Sequence, residues 1–292
     1  MSVTAAFKYV AIPWRLRRRL DAFKARGSPT GHLLMSFPLA LGKKTPATPL
    51  NNRQHVGATT SLVGVQAALN EYLGEMIAYE AEAEGRLFQD MVPNPDLAET
   101  QTSLGSATEL ELHVEQAFSR WRPDVVSLAC LRGDPGAKTY VFHVREALKH
   151  LTQAERRFMW EPLWTMGVDL SFKMHGSEPF VEGDERGPMP ILSGNDDDVG
   201  WRFDQDLMRG ITPAAEDLRL KLIDIYVKHR TSVILKPGDL LWIDNQRAVH
   251  GRSPYMPRFD GTDRFLVRSF VTYDLAKSAH VRNGRMVLAK FS

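Results

Sequence analysis

In Glu109-Leu110-Glu111-Leu112-His113-Val114-Glu115 polar and apolar side chains alternate without a break, and a period of two confines the run to an extended strand with unlike faces. Successive side chains of a strand point to opposite faces, so His113 and Glu115 project together while Val114 turns away. An imidazole and a carboxylate on one face can bind one metal ion. A His-x-Glu tripeptide is common, however, and a surface strand with an incidental histidine would look the same. Its weight rests on what lies downstream.

Downstream, Val233 to Asn245 reads as a hairpin: strand, Pro237-Gly238 turn, strand. Pro fixes φ at the second position of a type II turn and Gly supplies the positive φ at the third. The segment Gln246–Arg252 then carries His250 out of that hairpin. A turn-rich stretch, Arg258–Asp263, leads into a last strand, Arg264–Val271, on which Arg264, Leu266 and Arg268 share a face. Two imidazoles and one carboxylate are the facial ligand set of non-haem Fe(II) oxygenases, which leaves the opposite coordination positions open. An arginine fourteen residues after His250 is where such an enzyme clamps a dicarboxylate cosubstrate, through paired hydrogen bonds that lysine lacks.

Taken together, these blocks resemble the clavaminate synthase-like Fe(II)/2-oxoglutarate oxygenases, a family that includes hydroxylases of free amino acids. The resemblance rests on Leu112–Phe118 with Arg122–Cys130, on Arg202–Met208, and on Lys236–Asp239 through His250 to Arg264, roughly the last two-thirds of the chain. Family members usually carry Thr between the proximal ligands; here that position is Val114, which faces away from the metal. The resemblance implies that His113, Glu115 and His250 hold catalytic Fe(II), with 2-oxoglutarate and O₂ as cosubstrates. It implies that Arg264 grips the distal carboxylate of 2-oxoglutarate, that Thr139 adds a hydrogen bond, and that Arg268 meets the substrate carboxylate. Thr139 also reads as an ordinary β-branched strand residue. The implied fold is mainly β with flanking helices (α+β), around a double-stranded β-helix, the jelly-roll core that cupins share.

The second substrate turns on acidic residues. Asp204 and Asp206 alternate with Phe203, Gln205 and Leu207, so in a strand they would face together. The resembling arginine hydroxylases bind a substrate's cationic end there; the competing reading makes one of them a cap or an ion-pair partner of Arg202 or Arg209. Gln89 and Ser103 are further candidates for the amino-acid end. Asn195–Asp198 reads as a solvated turn. The implied reaction is hydroxylation at the β or γ carbon of a free basic amino acid such as arginine or lysine. A neutral or peptide-linked substrate, desaturation, ring closure, a zinc-dependent hydrolase and a non-catalytic barrel stay open. A retained Glu115 argues against halogenation, which needs that ligand position for halide.

The 292 residues, 43% hydrophobic, suffice for one large core, read as a single domain over 1–292 with a helical N-terminal part to about 85 and a jelly-roll core from 86. A net charge of +2 is too small to imply nucleic acid or a membrane surface, and the resemblance implies a small-molecule partner, a free amino acid. The lone Cys130 excludes an intrachain disulfide, and the basic start Trp14–Leu20 lacks the apolar segment of a secretory signal, so a cytoplasmic enzyme is expected. Local patterns predict an amphipathic helix with Trp14, Leu20 and Phe23 inward, a strand over Gly31–Leu39, and a helix from Ser61 to about Glu84. A strand follows over Arg86–Pro93, and Asn94–Ser106 forms a loop suited to closing over substrate. Helices open at Thr152 and at Thr212-Pro213. The remaining histidines lack ligand spacing, and His175 alone among them is a candidate for the site.

Overall fold

The computed structural model describes residues 12–38, 45–169, 172 and 186–289. Its larger sheet runs β1 (His32–Ser36), β12 (Asp239–Asp244), β5 (Val125–Arg132), β14 (Phe265–Thr272), β2 (Glu75–Tyr79), β16 (Met286–Val287) and β15 (Arg282–Asn283), with β3 (Gln89–Met91) also on β14. The smaller sheet runs β11 (Thr231–Ile234), β6 (Lys138–His143), β13 (Ala248–Arg252) and β4 (Leu110–His113). Two short pairs complete the strands: β7 (Trp164–Met166) with β10 (Met208–Gly210), and β8 (Leu192–Gly194) with β9 (Val199–Trp201).

Alternation explains how the larger sheet buries both faces. Val126, Leu128 and Cys130 of β5, Leu241 and Ile243 of β12, and Leu266 and Phe270 of β14 enter the core shared with the smaller sheet. Their neighbours Val125, Ala129, Leu131, Leu240, Trp242, Phe265, Val267 and Val271 pack on the other side, against Leu20 and Phe23 of α1 (Trp14–Arg26) and Leu62, Leu69 and Leu73 of α2 (Ser61–Leu73). Helix α3 (Val144–Lys149) follows β6, α4 (Gln153–Phe158) follows α3, and α5 (Pro213–His229) runs from β10 into β11. The arrangement is the expected double-stranded β-helix with flanking helices. Thr152 and Glu155 form a capping box, and the Thr212 hydroxyl accepts from the Ala215 amide with Pro213 opening α5, as their sequences predict.

Elsewhere the local patterns are overruled. The helix expected to reach Glu84 stops at Leu73, because Glu75–Tyr79 pairs with β14 instead. Gly74 permits that approach, since a Cβ there would lie 2.5 Å from the Thr272 carbonyl oxygen. The N-terminal part thus contributes β2 to the larger sheet in place of helix, beside β1, which falls within the strand expected over Gly31–Leu39. Trp14, expected inward, is 55% exposed and carries Arg15 and Arg18 against its ring. Pro237-Gly238 makes the predicted type II turn, with Gly238 at φ 96 and the Asp239 amide donating to the Lys236 carbonyl at 2.9 Å. It closes no hairpin: β11 pairs with β6 in one sheet, and β12 with β1 and β5 in the other. Turn chemistry sets chain direction, while burial of both faces of β12 places it between β1 and β5. Among the described residues no helix is long and apolar enough to cross a membrane.

Candidate metal centre

His113, the last residue of β4, stands directly opposite His250 of β13, and their ring centroids are 4.3 Å apart. Glu115, expected on the same strand face, lies two residues beyond the end of β4. Two backbone contacts keep it beside His113. The Val114 amide donates to the Phe203 carbonyl at 2.8 Å, and the buried Asn245 carboxamide brackets Glu115 itself. The Glu115 amide donates to Asn245 Oδ1 at 2.8 Å, while Asn245 Nδ2 donates to the carbonyls of Glu115 at 3.1 Å and Pro123 at 2.8 Å. Gln116, at φ 54, then turns the chain away. Nothing in the sequence singles out Asn245: its partner is 130 residues distant.

One ligand atom from each of His113, Glu115 and His250 lies within 4.8 Å of the others. His113 Nδ1 meets the Glu111 carbonyl at 2.8 Å and so carries the proton, leaving the Nε2 lone pair for a metal. Burial, with His113 adding, pushes His250 down to about 4, so its ring is neutral near pH 7. Burial alone would raise Glu115; Arg268 and the two imidazoles overcome it and hold the carboxyl at about 2. Imidazole lone pairs and an ionised carboxylate form a donor set that fits Fe(II).

Beside these ligands lie groups suited to an anion. Arg264, expected on the last strand, immediately precedes β14; it is 7% exposed, lies 5.8 Å from the centre of the Tyr255 ring, and makes no ion pair among the described residues. Thr139 on β6 stands opposite Arg252 of β13, and its buried hydroxyl has no partner there. A buried cation and a buried hydroxyl of this kind are what a carboxylate satisfies.

Arg268 joins the metal ligands to a second group of side chains. Its Nη1 donates to Glu115 Oε1 at 2.7 Å, its Nε and Nη2 to Gln89 Oε1 at 3.0 and 2.6 Å, and its Nη2 also to Glu82 Oε1. Gln89 faces Arg268 across the β14–β3 ladder. Glu82 escaped the sequence reading because it fell within the helix expected to reach Glu84. Burial raises its carboxyl to about 7, against the pull of Arg268 and with Glu115 and Asp169 adding to the rise.

The acidic pair does not share a strand face. Asp204–Leu207 is a turn in which the Asp204 carboxylate accepts from the Leu207 amide at 2.8 Å, so the preference of Asp for turns prevails over the alternation. Asp204 bridges to His113 through the backbone, and burial raises its carboxyl to about 6. Asp206 is exposed. Ser103 is half-buried in the loop ahead of β4, and no hydrogen bond joins its hydroxyl to these residues. Asn195–Asp198 is the expected turn, with Asn195 Oδ1 accepting from the Asp197 and Asp198 amides. His175 lies outside the described residues.

Residues 48–270 match the family model described as taurine catabolism dioxygenase TauD, TfdA family. The chain is 53% identical over 283 residues to the L-lysine 3-hydroxylase of Catenulispora acidiphila, covering 96% of this chain and 78% of that one. Asparagine oxygenase in complex with Fe(II), 2S,3S-3-hydroxyasparagine and succinate superposes with a TM-score of 0.87 at 32% identity, over 98% of this chain and 88% of that one. The non-haem iron oxygenase OrfP in complex with Fe and alpha-ketoglutaric acid gives 0.79 at 27% identity, over 94% and 86%.

Proposed function

The chain belongs to the TauD, TfdA family and is an Fe(II)/2-oxoglutarate-dependent dioxygenase, and we propose that it hydroxylates a free basic amino acid, lysine foremost, at the β carbon. The observation that carries this reading is the set of groups around the metal ligands: Arg268 with Gln89 and Glu82 on one, Asp204 bridged to another. An α-carboxylate, an α-ammonium and a terminal cation need a cation and two separate acids. The identity to a protein named L-lysine 3-hydroxylase supports both the lysine and the carbon.

Fe(II) held by His113, Glu115 and His250, together with 2-oxoglutarate and O₂, supplies the oxidant that converts an unactivated C–H to C–OH while the cosubstrate becomes succinate and CO₂. The side chains of this protein bind and orient. Arg264 grips the distal carboxylate of 2-oxoglutarate, and the Thr139 hydroxyl donates to it. Arg268 and Gln89 receive the substrate carboxylate, with Ser103 at the same end. Glu82 takes the α-ammonium. Asp204, and at the rim Asp206, hold the terminal cation. One domain carries all of these groups, and the partner is a small molecule.

A neutral amino acid such as asparagine is the second reading, favoured by the 32% identity to asparagine oxygenase. With Fe(II) and 2-oxoglutarate in air, succinate release should depend on an added basic amino acid and exceed that with asparagine. Turnover that persists without 2-oxoglutarate would contradict the reaction; faster turnover of asparagine would select the second reading.

A further inference from the structure

Arg252 lies two residues after His250 on β13 and so projects from the same face. It is 3% exposed and makes no ion pair among the described residues. Its donors go to carbonyls instead: Nε to Ser253 at 3.0 Å, Nη1 to Gly105 at 2.6 Å and Nη2 to Thr108 at 3.1 Å. Gly105 and Thr108 belong to the loop over residues 94–108, which closes on itself. The Asn94 amide donates to Leu104, and the Ser106 and Ala107 amides both donate to Ala98. A further tie to the barrel, from the Tyr255 amide to the Ser106 carbonyl at 2.9 Å, comes from three residues past Arg252.

The same guanidinium also neighbours the cosubstrate end. Arg252 and Arg264 both approach the Tyr255 ring, at 5.1 and 5.8 Å from its centre. Neutral carbonyls and an aromatic face offset two adjacent buried cations only in part. An anion received by Arg264 relieves their repulsion, which strengthens the hold of Arg252 on Gly105 and Thr108. We infer that Arg252 is a positioning residue that links the binding of 2-oxoglutarate at Arg264 to the docking of loop 94–108 on the barrel. This rests on the assignment of Arg264 to the cosubstrate. Because linkage is reciprocal, a docked loop in turn tightens cosubstrate binding, and the loop that carries Ser103 is set before the amino acid arrives.

Hydrogen exchange of the 98–108 amides in oxygen-free, Fe(II)-loaded protein tests the link without any substitution. Added 2-oxoglutarate should slow exchange there by at least roughly fivefold, the low end of measured couplings between sites. Unchanged exchange in the wild type overturns the inference. In Arg252→Lys the slowing should disappear and calorimetric affinity for 2-oxoglutarate should fall by at least roughly fivefold; a response equal to wild type also overturns it. Arg264→Met serves as the control. If that variant binds 2-oxoglutarate normally, the assignment of Arg264 is what fails; if it binds weakly while Arg252→Lys behaves as wild type, only the link fails.

Discussion

The candidate site is held by strands at its metal ligands and the proposed cosubstrate end and by a turn at its acidic end, and the two kinds of support differ. His250 opposes His113 on one side and Val141 on the other, and Arg252 opposes Thr139, so three neighbouring strands fix these side chains by register. None of them moves unless a ladder moves. The Asp204 carboxylate is instead tied to the Leu207 amide of its own turn, and Asp206 beside it is exposed. Rigid geometry suits chemistry that every substrate must undergo. A turn suits a contact that distinguishes one substrate from another.

The surest way to break this contrast is at the strands. Glu115→Ala or His113→Ala should abolish both Fe(II) binding, followed by metal analysis, and turnover of every amino acid; a variant that keeps one iron per chain would refute the ligand set. Asn245→Ala removes the bracket around Glu115 and should weaken Fe(II) binding by about 10–100-fold, the range for losing a group that orients a ligand. Unchanged iron affinity would mean that the contact to Phe203 suffices. Arg264→Lys loses a bidentate geometry and should raise the 2-oxoglutarate KM by about tenfold while the amino-acid KM moves less. At the turn the effect should be selective. Asp204→Asn should lower kcat/KM for lysine by about tenfold, the loss of a charge-assisted hydrogen bond, and change a neutral amino acid far less. Equal losses would show that Asp204 acts through His113 instead.

A further prediction concerns the ladder itself and reads stability instead of turnover. Burial holds the His143 imidazole down at about 4, with Arg145 and Arg247 adding, against 6.5 for a free side chain. Between those values the unfolded chain binds the extra proton, so stability should fall as pH drops from about 6.5 toward 4, by up to about 3 kcal/mol. His143→Asn keeps an acceptor for the Arg145 amide, now met by Nδ1 at 3.0 Å, and should flatten the decline of the thermal midpoint over that range.

The strand-held end was legible in the sequence for a physical reason. Alternation and residue type report local geometry, and His113, His250 and Thr139 owe their placement to strands. Arg264, proposed from its spacing after His250, lies one residue ahead of β14, where the expected strand would have included it. What escaped depends on contacts between distant segments. Asn245 is a buried turn residue whose role is apparent only once Glu115 lies against it. Glu82 was hidden because apolar residues after Ser61 suit helix and strand alike until β14 supplies a partner for Glu75–Tyr79. The Pro237-Gly238 turn was read correctly and its strands paired wrongly, since four residues cannot encode a partner more than ninety residues away. At the acidic end the alternation of Asp204 and Asp206 was real, but a side-chain bond to Leu207 cost less than extending the chain.

Isotopically labelled dioxygen gives the most direct test. With Fe(II), 2-oxoglutarate and L-lysine, the account predicts one labelled oxygen in the hydroxylated lysine and one in succinate, formed in equal amounts. Hydroxylated lysine and succinate that carry no label, or hydroxylated lysine formed without dioxygen, would contradict it.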